Sequence, residues 1–188
     1  MDAKELIQEL NKEELMKQGN ISLILDGYND LFSDFDPRSY SERALSDDFL
    51  VECKRAARDR SDIREGFELR LLAPKAKRNL NDEIKIKKRL KSHFHKHYIE
   101  KLRDIRKLRI EGWIWFALGV LFMLFATFIH TYIDVNFFFS LLFIISEPAG
   151  WFSFWEGLDK VFITSREKKP DVEFYKKMVS AEISFISY

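Results

Sequence analysis

Two long apolar stretches, Trp113 to Ile133 and Phe137 to Trp155, stand almost back to back in this chain of 188 residues and limit what it can fold into. The first runs 21 residues without a formal charge, His130 counted as neutral, and an α-helix needs about 20 to cross a bilayer core. The second is interrupted at Glu147 and Pro148. Only Asp134, Val135 and Asn136 separate them, so they are predicted to cross as a tight antiparallel hairpin that leaves everything else on one side.

Basic residues assign that side. Lys101, Arg103, Arg106, Lys107 and Arg109 precede the first stretch; Lys160, Arg166, Lys168 and Lys169 follow the second, and the turn between has no Lys or Arg. Flanking positive charge stays cytoplasmic, which predicts both termini in the cytoplasm and the hairpin in a plasma or inner membrane. Trp113, Trp115 and Trp155 fit the near interface and Tyr132 the far one. Cys53 is the single cysteine, in keeping with a reducing compartment. The Met1 end has no apolar run resembling a signal sequence, so the hairpin is expected to direct insertion.

The flanks differ sharply in charge. Residues 1–64 hold ten Lys/Arg against fifteen Asp/Glu, whereas residues 85–109 hold eleven Lys/Arg against Glu100 and Asp104 alone. In the acidic part, Leu6, Ile7, Leu10, Leu15 and Met16 predict a short amphipathic helix over 3–17. Ile21–Leu25 predicts a buried strand. The run from Asp26 to Asp36 lacks EF-hand spacing and reads as a turn whose aromatics pack and whose acids face the basic helix. Ser46 with Asp47 and Asp48 predicts a helix start, since a hydroxyl caps free amides and carboxylates suit the positive end of the dipole. That helix should reach about Arg58 and bury Phe49, Leu50 and Cys53. Phe67–Leu72 alternates like a half-buried strand.

From Glu83 to Glu111 nothing breaks a helix, and 29 residues would extend about 43 Å at 1.5 Å each. Ile86, Leu90, Phe94, Tyr98, Leu102 and Ile105 form one apolar stripe along it, which calls for cover by the small domain or another copy. Past the membrane, Arg166–Lys169 with Pro170 reads as a polar linker, Asp171–Met178 as a short helix, and Ser180–Tyr188 as a third strand returning to the domain.

The predicted fold is thus an α-helical transmembrane hairpin joined through a long basic helical stalk to a small α+β cytoplasmic domain. Residues 1–80 form the domain, 81–111 the stalk and 112–158 the hairpin, with helices about 113–133 and 137–158; residues 159–188 form a tail packing back on the domain.

Glu147 carries the most chemistry. It lies about eleven residues from the turn, so about 16 Å into a core ~30 Å thick, where an ionisable side chain is a functional candidate. Pro148 removes a backbone donor and frees the Ile144 carbonyl. Ser146, Glu147, Pro148, Ala149 and Gly150 together predict a broken or kinked helix at mid-membrane, a geometry used for ion sites. Thr127 and His130 are considered as partners, with His130 expected too near the outer face to reach the same depth. The competing view makes Glu147 protonated interhelical glue. Glu156 is expected near Lys160 at the cytoplasmic interface.

Elsewhere the chemistry is sparse. His93 and His97 share a helix face at a metal-ligand spacing, but with His95 they are more simply solvated or near headgroups, and no metal or cofactor is predicted. Lys101, Arg103, Arg106, Lys107, Arg109 and Lys160 are assigned to anionic lipid headgroups rather than nucleic acid. No phosphate loop, nucleophile elbow or zinc cluster suggests an enzyme. Two readings follow. One is a homo-oligomeric, channel-like protein conducting ions or protons past Glu147 under control of its cytoplasmic domain. The other is a non-conducting anchored scaffold or sensor that recruits protein partners.

Overall fold

The computed structural model describes residues 21–59, 68–132 and 136–188; the helix expected over 3–17, and Phe67, lie outside them. The molecule is mostly helical with one small sheet. Two compact units divide it, Met1–Tyr98 with Glu173–Tyr188, and Ile99–Val172.

In the first unit three strands, β1 (Ile21–Ile24), β2 (Glu68–Ala73) and β3 (Glu182–Ser187), form a sheet with β2 in the middle. Both pairings are parallel, with Ile21 beside Leu69 beside Ile183 and Leu23 beside Leu71 beside Phe185. Parallel neighbours need crossover connections. Helix α1 (Asp47–Asp59) lies in the first crossover, and the second contains both long helices of the chain. Leu69, Leu71, Leu72 and Ala73 are all buried, because a central parallel strand is covered on both faces and loses the alternation of a half-buried one. The tail therefore does supply the third strand.

Helix α1 buries Phe49, Cys53 and Ala57, spaced by four, while Leu50 is only partly covered. Ahead of it the acidic turn is held by its own backbone. Asp30 Oδ2 accepts the amides of Asp26 (2.6 Å) and Gly27 (3.1 Å). Asp36 takes the Arg38 guanidinium (2.7 Å) and the Ala44 amide (2.7 Å), an arrangement in which Arg38 above all holds its carboxyl well below the usual range. These two acids do not face the basic helix as expected; turn amides left by the loop satisfy them locally. Tyr28 and Phe32 pack inward, but Phe35 is 98 % exposed.

Helix α2 (Leu80–His130) spans 51 residues without a break, passing straight through Gly112. Asn79 caps it by accepting the Asn81 amide at 3.0 Å. Next to the cap, buried Glu83 is fully engaged: Arg78 donates to both its oxygens (2.7 and 3.0 Å) and the Tyr28 hydroxyl to one (2.9 Å). The Arg78 guanidinium holds the Glu83 carboxyl below its ordinary value, and burial pushes the Tyr28 phenol up.

The small domain covers the start of the apolar stripe. Ile86, Leu90 and Phe94 are fully buried among α1, the sheet and the C-terminal helix, and Tyr98 packs on that core. Leu102 is 39 % exposed. Leu90→Ala should therefore cost about 2–5 kcal/mol, as a core cavity does, and Leu102→Ala less than about 0.5 kcal/mol; thermal unfolding of both variants measures the difference.

The second unit holds the apolar part of α2 and helix α3 (Phe137–Leu158), capped by Asn136, whose side chain accepts from the Phe139 amide. Both helices are long and apolar enough to cross a membrane. They meet along small residues. Gly112 and Gly119 on α2 face Gly157 and Gly150 on α3, seven residues apart in each, and Ala126, Ser146 and Ser153 extend the seam. A Cβ on Gly157 would lie 2.5 Å from the Phe116 nitrogen and 2.7 Å from the Gly112 oxygen. Backbones this close require glycine.

Two expectations fail along α3. Of the break or kink expected at mid-length, the break is absent: Pro148 sits inside a helix that runs unbroken to Leu158. Pro148 is exposed, as is Ile144 one turn before it, so the carbonyl that loses its donor lies on the outward side and can tilt away from the ring. The irregularity comes instead at Asp159–Thr164, a π-helical segment. Nor is there a linker at Arg166–Lys169. One helical turn (Ser165–Glu167) leads into helix α4 (Lys169–Ser180), whose first turn takes Pro170 where no N–H is needed.

Candidate functional site

Helix α3 sorts the predicted residues by face. Ser146 and Gly150 turn into the seam, Ser146 being 5 % exposed and Gly150 lying against Met123 and Gly119. Neighbours in a helix stand about 100° apart, so Glu147 and Pro148 point outward and are exposed. The five-residue cluster read from sequence is thus two features: a packing seam, and an outward acid.

Glu147 does not stand alone. Phe143, Glu147 and Trp151, spaced by four on α3, face Met123, Ala126, Thr127 and His130 on α2, and together they line a groove of about 330 Å³. The His130 ring meets Phe143 edge-on at 5.3 Å. Phe143 precedes Glu147 by one turn, which places His130 about 5.4 Å along the axis from the carboxylate level. His130 is thus not too far out to share a site with Glu147; the antiparallel register brings it there. The Thr127 hydroxyl donates to the Met123 carbonyl at 2.9 Å, leaving its oxygen to accept. Among the described residues, Glu147 and His130 are the titratable side chains in the groove.

A larger hollow of about 510 Å³ is lined by Phe152, Trp155, Leu158, Phe162 and Ile163 with Glu156 and Asp159. Both acids already have partners there. Thr164 donates to Asp159 at 2.8 Å, and Lys160 lies 3.5 Å from Glu156 and 3.8 Å from Glu111, with its ammonium over the Trp115 ring. Lys160, in the π-helical segment after α3, therefore ties that segment to Glu156 on α3 and to α2 instead of standing free toward headgroups. Arg103, Arg106, Lys107 and Arg109 are exposed and Lys101 partly so.

His93 and His97 do come together, their rings 4.3 Å apart, but within an aromatic stack: His97 lies on Tyr175 and His93 against Phe94. Both are half-buried in this stack, whereas His95 is exposed as expected. No group of three potential metal ligands gathers among the described residues. Burial, reinforced by His97, Arg89 and Lys96, pushes the His93 imidazole down to about 4. An unfolded histidine titrates near 6.5, so between those values the unfolded chain binds a proton that the folded chain does not. Its contribution to stability is complete above about pH 6.5 and lost as pH falls toward 4. Melting temperature measured across that window should fall for the wild type and flatten in His93→Leu.

No family model, curated protein or solved structure matches this chain.

Proposed function

We propose that this is an integral membrane protein whose two apolar helices cross the bilayer as a hairpin with both termini cytoplasmic. Several copies assemble, and ions or protons pass along the groove at Glu147 under the control of the cytoplasmic domain. The carrying observation is the position of Glu147: on the outward face, beside Thr127 and His130, uncovered by its own chain. An acid facing hydrocarbon is costly, and a second copy laid over the groove would remove that cost while enclosing a polar path. Apolar exposure supports the membrane setting. Leu121, Leu124, Phe128, Ile144 and Phe152 are each more than 60 % exposed, a surface that needs lipid or protein cover. Basic residues on the α2 side orient it and bind anionic headgroups.

The glycine seam favours a second reading. A hairpin closed by its own helices needs no further copy, as suits a non-conducting anchor that gathers protein partners. Particle mass in nanodiscs together with ion flux in liposomes separates the two. A monomer, or an oligomer that passes no ion under any gradient, would leave the anchor.

A further inference from the structure

We propose that the permeant ion is the proton, and that His130 loads and unloads Glu147 from the turn side of the hairpin. This rests on the conducting reading above. His130 is the last residue of α2, so it stands at the turn-side mouth of the groove, and Glu147 lies one helical turn further in. The edge contact with Phe143 holds the imidazole at that mouth. Between the two levels Thr127 offers an accepting oxygen, its own proton being engaged by Met123. A groove of about 330 Å³ has room for several waters at ~30 Å³ each, enough to bridge one helical turn.

The lining also argues against a dehydrated metal ion. Hard cations take about six to eight oxygens, and here each copy supplies one carboxylate and one hydroxyl among Met123, Ala126, Phe143 and Trp151. A proton needs one lone pair at a time, and the pair on offer is an imidazole and a carboxylate. An imidazole can take up a proton at one ring nitrogen and release one from the other, so His130 can pass a proton inward from the mouth. Tyr132, the next titratable group along the chain, turns onto Phe128 and Phe139 instead. Asp134 lies outside the described residues.

The test uses the full chain in liposomes with an entrapped pH dye, under a proton gradient and then under sodium and potassium gradients. Wild-type protein should pass protons down the imposed gradient. His130→Asn should keep the oligomer mass but slow proton flux about a hundredfold, the lower end of what a positioned proton carrier contributes. His130→Glu, whose carboxyl can also take up and release a proton, should restore flux, an outcome that a merely structural histidine would not produce. Sodium or potassium flux unchanged in His130→Asn would overturn the proton assignment and leave the conducting reading standing. Absence of flux of any ion in the wild type would overturn both.

Discussion

Replacing Gly119 with leucine is expected to drive the two apolar helices apart. A Cβ at this position would lie on the backbone nitrogen of Phe154, 2.7 Å from the Phe154 Cα and 2.9 Å from the Gly150 oxygen. Those atoms belong to helix backbone, so no rotamer change relieves the contact and the helices must separate. Overpacking against mobile side chains costs about 1–3 kcal/mol; here the cost should exceed about 3 kcal/mol, since the clash also forfeits the van der Waals contact of the whole seam. Phe116 and Phe154 face each other across the seam with ring centroids 4.9 Å apart. Phe116→Cys with Phe154→Cys should be bridged by a short bifunctional thiol reagent in an otherwise native chain and fail to be bridged with Gly119→Leu added. Gly27→Ala is the control: nothing lies within 4 Å of a Cβ there and the backbone is extended, so stability should change by less than about 0.5 kcal/mol. Equal cross-linking with and without Gly119→Leu would show that the helices do not depend on the seam.

What the sequence disclosed well was local. Asp47–Asp59 begins where Ser46, Asp47 and Asp48 announce a helix start, and the strands at Ile21, Glu68 and Glu182 lie within runs of strand formers. Strand direction was less accessible, though the long separations between these runs already favoured parallel pairing through crossovers. The Glu147 site required a register that no single helix contains. Counting depth separately on each stretch made His130 look remote; pairing Gly119 with Gly150 brings it within a turn of Glu147. That pairing had a signal, since Gly112 and Gly119 repeat the seven-residue spacing of Gly150 and Gly157. Two glycine pairs at matched spacing on consecutive apolar helices imply a shared seam, and the seam decides that Ser146 faces inward and Glu147 outward. Pro148 misled for a different reason. A proline removes one hydrogen bond, which an exposed helix face tolerates, so its presence does not by itself break α3.

Glu147→Gln should abolish ion flux while leaving the assembly intact. Glutamine keeps the size and hydrogen-bonding reach of the side chain but cannot give up a proton or hold a charge, so a conduction path through this position stops. If copies assemble over the groove as proposed, oligomer mass should not change, because an amide can still hydrogen-bond across that contact. Glu147→Leu removes that bond as well, and interhelical polar contacts in membranes contribute about 0.6 to 2 kcal/mol each; the leucine variant should therefore dissociate at lower detergent than either glutamine or wild type. Ser146→Ala supplies the internal comparison. Ser146 is 5 % exposed and lies in the seam, so its loss should leave flux within about twofold of wild type if the path follows the outward groove, an energy difference below ~0.5 kcal/mol. Flux that survives Glu147→Gln but fails in Ser146→Ala would place the path between α2 and α3. Flux unaffected by either, with assembly weakened by Glu147→Leu, would make Glu147 an adhesive between copies and nothing more.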